Sequence, residues 1–330
     1  MKGEEFKDDF RKALPKEIVL ELTRRSAWRA TLPILGDFAV IALAAVVALA
    51  NWFSLPITIL CVLVIGVKQH ALFVIAHDGA HYLLYGNRRL NDLAGRVCAT
   101  VQGLSMCTYR VIHRLHHNNL YGELDPDTAL HGGYPRGRAY LIKKLLKDLT
   151  GFTAWKTYAY FLGGAPALNT TTNVALRPLD DTAPKLKEEA RVDRNTVIAF
   201  HIMLLVAFAW SGYLIQYLVL WVLPLVTVVQ ALLRLRAIAE HGATTDFSSP
   251  LTAARTNVCP AWLEWLIFPH HVNYHIEHHL YASVPHYNLP RLHAEMAACG
   301  ALDGAEVVAF ASTLRKIFAE RAPTSAAPGT

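Results

Sequence analysis

Hydrophobic positions along the chain gather into two long blocks. Residues 31–51 (TLPILGDFAVIALAAVVALAN) and 56–76 (PITILCVLVIGVKQHALFVIA) are each long enough, at about 1.5 Å per residue, to cross about 30 Å of hydrocarbon as helices. Only a short aromatic turn, NWFSLP, separates them. The second block, from Val197 to Ala239, is too long for one crossing and contains Trp210-Ser211-Gly212-Tyr213, where a glycine between interfacial aromatics suits a turn. The pattern therefore predicts an all-α integral membrane protein with four transmembrane helices in two hairpins, spanning about 31–51, 56–76, 197–211 and 214–236.

Two further stretches carry apolar residues without reading as spans. In RAYLIKKLLKDL, residues 138–149, Leu141, Ile142, Leu145, Leu146 and Leu149 fall opposite Lys143, Lys144 and Lys147. That face suits a helix lying on the membrane surface, or one packed on a cytoplasmic domain. The segment GFTAWKTYAYFLGGAPALN at 151–169 contains Lys156, a Gly-Gly pair and a proline, so it is expected to be interfacial or re-entrant.

Charge orients the spans. Residues 1–30 carry eight Lys/Arg, the stretch from Arg88 to Arg194 is rich in both, and the hairpin turns have none, which places both termini and the middle segment on the cytoplasmic side. The expected organisation is a cytoplasmic segment 1–30, a membrane domain 31–300 with its cytoplasmic segment 77–196 and a further segment 237–300, and a C-terminal helix and tail 301–330. The end PTSAAPGT reads as disordered. The first residues lack the apolar core and cleavage site of a signal peptide, so removal is not expected.

Composition agrees. The chain has 330 residues, 53% of them hydrophobic, and its net charge of +6 lies beside apolar segments with no basic run interleaved with aromatics. Membrane lipid is the expected partner, and nucleic acid is not. Five cysteines form no C-x-x-C pair and are odd in number, as expected for free thiols in a reducing compartment.

The candidate chemistry lies in the histidines. The second span runs into HDGAH, with His77 and His81 one helical turn apart. HRLHH supplies His113, His116 and His117, and HIEHH supplies His275, His278 and His279. Each H-x-x-H-H gathers three imidazoles within about 100° of a helix. One such histidine is ordinarily a core residue, but eight in three face-matched groups suggest ligands. A tetrahedral zinc takes at most four, so eight suggest two metals. Bis-histidine haem needs two, and the Glu-x-x-His repeat of carboxylate di-iron bundles does not occur. Redox iron held by neutral nitrogen is the reading left. His241, where the fourth span emerges on the same side, is a candidate ninth ligand. His70, His131, His201, His286 and His293 are expected in packing or surface roles, and His270 and His271 stay open.

HDGAH, HRLHH and NYHIEHHL, with DPD after the second and VPHYNLPRLH after the third, resemble the three histidine boxes of the integral-membrane fatty acid desaturase and hydroxylase superfamily. The resemblance runs from the first hairpin to about His293. It implies a cytoplasmic helical cap and two non-haem iron ions that use O₂ and two electrons to desaturate or hydroxylate a lipid chain. The implied ligands are the eight box histidines together with His241. Acyl-CoA members carry an asparagine four residues before that last histidine, holding a metal-bound water; here Ala237 stands there, and Asn273 is a candidate substitute. The three residues inside HDGAH resemble acyl-lipid desaturases, hydroxylases and carotenoid-ring oxygenases more than the stearoyl-CoA type. Asp78, Asp125, Asp127 and Glu277 are candidates to accept hydrogen bonds from the imidazoles.

The expected function is an O₂-dependent fatty acyl desaturase of the acyl-lipid type, with a lipid or carotenoid-ring hydroxylase or ketolase as alternative. Electrons must come from a separate ferredoxin or cytochrome b5-like donor, because no haem-binding His-Pro-Gly-Gly, cluster-binding cysteine spacing or G-x-G-x-x-G occurs. A zinc-dependent membrane hydrolase and a metal transporter are the readings of other classes. A transporter would string ionisable ligands across the bilayer, whereas these histidines cluster at one side.

Overall fold

The computed structural model describes residues 13–320 apart from 171 and 181. Most of the N-terminal segment read for a signal, and the PTSAAPGT end, lie outside the described residues. The helices that matter are α1 (Lys16–Leu22), α2 (Ala27–Ala50), α3 (Leu55–Ala80), α4 (Arg88–Val101), α5 (Met106–Asn118), α6 (Thr128–His131), α7 (Arg138–Leu149), α8 (Ala154–Phe161), α9 (Pro184–Trp210), the interrupted α10 (Leu214–His241), α11 (Ala261–Leu266), α12 (His275–Leu280), α13 (Leu289–Ala298) and α14 (Phe310–Ile317). β1 (Ala167–Asn169) pairs antiparallel with β2 (Val174–Leu176), and β3 (Thr256–Val258) pairs parallel with β4 (Val307–Ala309).

Four of these helices, α2, α3, α9 and α10, are long and apolar enough to cross a membrane. In α3 the apolar stretch is 78% buried, against 22% in α2 and 11% in α9, so α3 is the hub and the others present leucine, isoleucine and valine outward. The helices overrun the apolar windows of the sequence. Pro184 opens α9 well before Val197, because proline suits a first helical turn and the polar residues after it are good helix formers. Likewise α3 continues past residue 76 through His77 to Ala80.

Two close approaches fix how α3 is seated. A Cβ on Gly79 would lie 2.8 Å from the Gly95 Cα, so α3 and α4 cross with backbones almost touching. On the opposite side Gly66 faces Val228 of α10, where a Cβ would meet the valine Cβ at 2.5 Å. Small residues permit this contact where lipid gives helices no hydrophobic drive to associate.

α10 is broken in its middle. Pro224 has no N–H and would clash with the preceding turn; a π-turn at Leu218–Val222 and an irregular Thr227 absorb the fault. The freed carbonyls are met by side chains: Gln230 Nε2 and Tyr158 Oη donate to Leu225 O at 2.9 and 3.1 Å, and Gln69 Nε2 donates to Trp221 O at 3.0 Å. Irregular backbone at this depth requires such partners. Tyr158 belongs to α8, so the 151–169 segment is an eight-residue helix followed by a strand, too short to cross. α7 forms as expected: it buries Leu141 against Ile238 and Ile317 and leaves Leu146 exposed.

Candidate metal centre

Each histidine group is carried by an element whose ends are pinned. Asn91 holds the end of α3, donating from Nδ2 to Gly79 O at 2.9 Å and accepting from Leu84 N at 3.0 Å. At the start of α5, Ser105 caps the helix by accepting from Thr108 N, and Asp193 of α9 accepts from Ser105 Oγ and Cys107 N at 2.9 and 3.0 Å. The end of α10 is gripped by Arg255, which is fully buried and donates to Ala239 O, Gly242 O and Ala243 O, each at 3.0 Å. Thr256 of β3 donates to Glu277 Oε2 at 2.6 Å, fixing α12 beside them.

These elements bring nine imidazoles into two clusters. His77, His81, His113, His117 and His278 form one, and His116, His241, His275 and His279 form the other; within each, one ligand atom per residue lies within 4.8 Å of all the others. In the second cluster the Nε2 atoms of His116 and His241 are 3.2 Å apart, those of His275 and His241 2.8 Å, and those of His279 and His275 3.2 Å. In the first, His117 Nε2 is 2.9 Å from His113 Nε2 and 3.0 Å from His278 Nε2. Donors held about 2.1 Å from one metal ion stand about 3.0–3.4 Å apart, so the spacings fit two such ions.

Tautomers sharpen the fit. His241 Nδ1 lies 3.1 Å from Ala253 O, which can only accept, and His116 Nδ1 lies 2.9 Å from Asp125 Oδ1. With both Nδ1 protons committed, neutral rings point two Nε2 lone pairs at each other across 3.2 Å, an arrangement relieved by a positive charge between them, whether a metal ion or a second proton on His116. Burial disfavours a charged His116, yet the Asp125 carboxylate overrides it and raises the ring to about 9, so this position attracts positive charge. Burial holds His113, His117, His275, His278 and His279 well below the usual imidazole value, leaving them neutral and able to coordinate. His77 Nε2 and His81 Nε2 are buried without a hydrogen-bond partner.

The four acidic candidates divide. Asp125 accepts from His116 and from the Tyr121 and Asp127 backbone N–H groups at 2.8 and 3.0 Å. Asp78 lies 3.4 Å from His77 Nδ1 and accepts more closely from His286 Nδ1, at 2.8 Å. Asp127 stands 3.9 Å from His116 Nδ1, its carboxyl raised to about 6 by burial. Glu277 meets no cluster imidazole; its partners are Thr256 and His293. Asn273 is buried, its Nδ2 donating to Asn257 O at 3.1 Å and its Oδ1 left without a hydrogen-bond partner. His270 pairs with Asp37 at 2.8 Å and His271 lies 3.4 Å from Glu264.

Several residues outside the three motifs line the clusters. His286, expected to have a packing or surface role, is buried against Asp78, and His131 is buried with its ring 4.7 Å from that of His241. Arg255 and Glu240 gave no motif at all. Two cavities adjoin the clusters. One, of about 80 Å³, is lined by Phe73, Tyr109, Phe161, Leu233, Ala237 and Glu240 among others. The other, of about 820 Å³, opens beside His81, His113 and His117, with exposed Arg25, Arg88 and Arg114 in its lining.

Residues 50–310 match the family model described as Fatty acid desaturase. Among curated relatives, the dihydrorhizobitoxine desaturase of Bradyrhizobium elkanii is 27% identical over 76% of this chain and 70% of its own length. The sn-1 oleoyl-lipid 12-desaturase of Synechocystis sp. is 26% identical over 87% and 80%. The sn-2 acyl-lipid omega-3 desaturase (ferredoxin) of Helianthus annuus is 24% identical over 85% and 63%. With most of its length inside that match, four membrane-length helices and two buried histidine clusters that can hold metal, the chain belongs to the fatty acid desaturase family of membrane oxidoreductases.

Proposed function

We propose that the protein is an O₂-dependent di-iron desaturase of the acyl-lipid type, which introduces a C=C bond into a lipid acyl chain. His77, His81, His113, His117 and His278 would hold one iron, and His116, His241, His275 and His279 the other. The observation that carries this reading is the pair of Nε2 lone pairs of His116 and His241, turned together by Asp125 and the Ala253 carbonyl. Nine imidazoles exceed what two tetrahedral zinc ions need, which favours iron. Bound iron would supply the oxidation of an unactivated C–H bond, chemistry that no side chain here can perform.

The chain's own part is ligand orientation, water exclusion and positioning. Asp125 and the Ala253 carbonyl hold the His116 and His241 rings by their Nδ1 protons, so their Nε2 atoms stay available. Phe73, Tyr109, Phe161 and Leu233 give the smaller cavity an apolar wall with room for a few methylene groups beside the imidazoles. Such a wall favours a lipid chain, consistent with the oleoyl-lipid 12-desaturase among the relatives. The donor would be a separate ferredoxin or cytochrome b5-like protein; one relative carries ferredoxin in its name, and the arginines of the larger cleft offer an acidic partner positive charge near the first cluster. Lys/Arg in residues 1–30 support two hairpins with both termini and the helical cap carrying the clusters on the cytoplasmic side.

The test is expression with a ferredoxin or cytochrome b5 reducing system and mass spectrometry of the lipid extract. Loss of two hydrogens supports desaturation, and gain of oxygen replaces it with hydroxylation. His116→Ala and His278→Ala should each abolish product while the helices stay folded; wild-type turnover in either variant overturns the ligand assignment.

A further inference from the structure

The two clusters are unequal, five imidazoles against four. Beside the smaller one lies a carboxylate. Glu240 precedes His241 on the last turn of α10, is 3% exposed, and lines the cavity of about 80 Å³ together with His116, His241 and His275. Its Oε2 is 3.8 Å from His275 Nε2. Its Oε1 has no hydrogen-bond partner, and Arg236 Nε, at 3.6 Å, is too far to donate. The Arg236 Nε and Nη1 are themselves buried without acceptors, so the two groups do not satisfy each other.

Arg236 compensates the buried charge at ion-pair distance but leaves Oε1 without a hydrogen bond, an oxygen open to a second cation. Two donors about 2.1 Å from one ion stand about 3.0 Å apart when adjacent and about 4.2 Å apart when opposite. The 3.8 Å between Glu240 Oε2 and His275 Nε2 falls inside that interval, while the four imidazoles close within 4.8 Å of one another without Glu240, so joining them takes a turn of the Glu240 side chain. We propose that Glu240 is the fifth donor of the four-histidine centre. One centre is then all imidazole, while the other carries four imidazoles and one carboxylate and has one less positive charge. This rests on the two-centre reading above.

The test uses the full chain in detergent, stripped of metal and titrated anaerobically with ⁵⁷Fe(II), read by metal content and Mössbauer spectra. Wild type should take up two ions giving two distinct quadrupole doublets. Glu240→Gln and Glu240→Ala should bind the first ion as wild type does, bind the second about 10–100-fold more weakly, and change only one doublet. Glu264→Gln, at a carboxylate outside both clusters, should match wild type. The proposal is overturned if both Glu240 variants bind two ions with wild-type affinity and spectra. It is equally overturned if both doublets change or both ions are lost together, since Glu240 would then act through the fold. Should wild type itself bind fewer than two ions, the two-centre reading fails instead.

Discussion

Arg255 Nε donates to Glu306 Oε2 at 3.0 Å, and both side chains are buried. The same guanidinium holds three carbonyls around the end of α10, on either side of His241. Losing the guanidinium leaves Glu306 to Lys316, at 2.8 Å, but strips three buried carbonyls of their donor, at about 1–3 kcal/mol for each group left unsatisfied. Arg255→Met should therefore lower unfolding stability by about that amount and release metal from the four-histidine centre, as measured by chemical denaturation in detergent followed by metal analysis.

Asp125 acts on the same centre through His116 alone. Asp125→Ala leaves the His116 Nδ1 proton without its acceptor and frees the ring to turn. Metal affinity at one centre should fall about 10–100-fold, read by competition with a chelator. Unchanged affinity would mean that the carboxylate serves only the Tyr121 and Asp127 backbone.

The crossing of α3 and α4 predicts a contrast between two glycines. At Gly79 an added Cβ meets backbone, the Gly95 Cα at 2.8 Å, whereas at Gly36 nothing lies within 4 Å. Gly79→Ala should cost about 1–3 kcal/mol and reduce product yield, because it pushes apart the helix turn between His77 and His81. Gly36→Ala should be neutral or slightly stabilising, with both variants read by thermal unfolding in detergent.

Acid should destabilise the metal-free protein. Burial holds His113, His117, His275, His278 and His279 below their ordinary value of 6.5, so below that pH the unfolded chain binds protons that the folded chain refuses. Stability is thus present above about pH 6.5 and lost as pH falls toward about 5. His116, raised to about 9, acts in the opposite sense only above about pH 6.5, so denaturation midpoints between pH 6.5 and 5 check the sign, and a midpoint that rises on acidification there contradicts it.

How much of this was visible in the sequence depends on the range of the forces involved. Apolar runs located all four membrane-length helices, since burial in lipid is written into consecutive residues. Their ends were not, because α3 through His77 and α9 from Pro184 stay helical on propensity and packing after the apolar run stops. Helical spacing gathered the histidines into three groups. Their regrouping into sets of five and four, with His116 parted from His113 and His117, follows from how α3, α5, α10 and α12 cross. Arg255 and Glu240 carry no motif, and the pairing of His286 with Asp78 joins residues far apart along the chain, so neither was legible.

Iron counting joined to oxygen dependence tests the central claim most directly. Purified protein should contain about two irons per chain and form a product two hydrogens lighter only when O₂ and a reducing system are both supplied. Near-stoichiometric zinc with full turnover and no iron requirement, or turnover that persists without O₂, would contradict it.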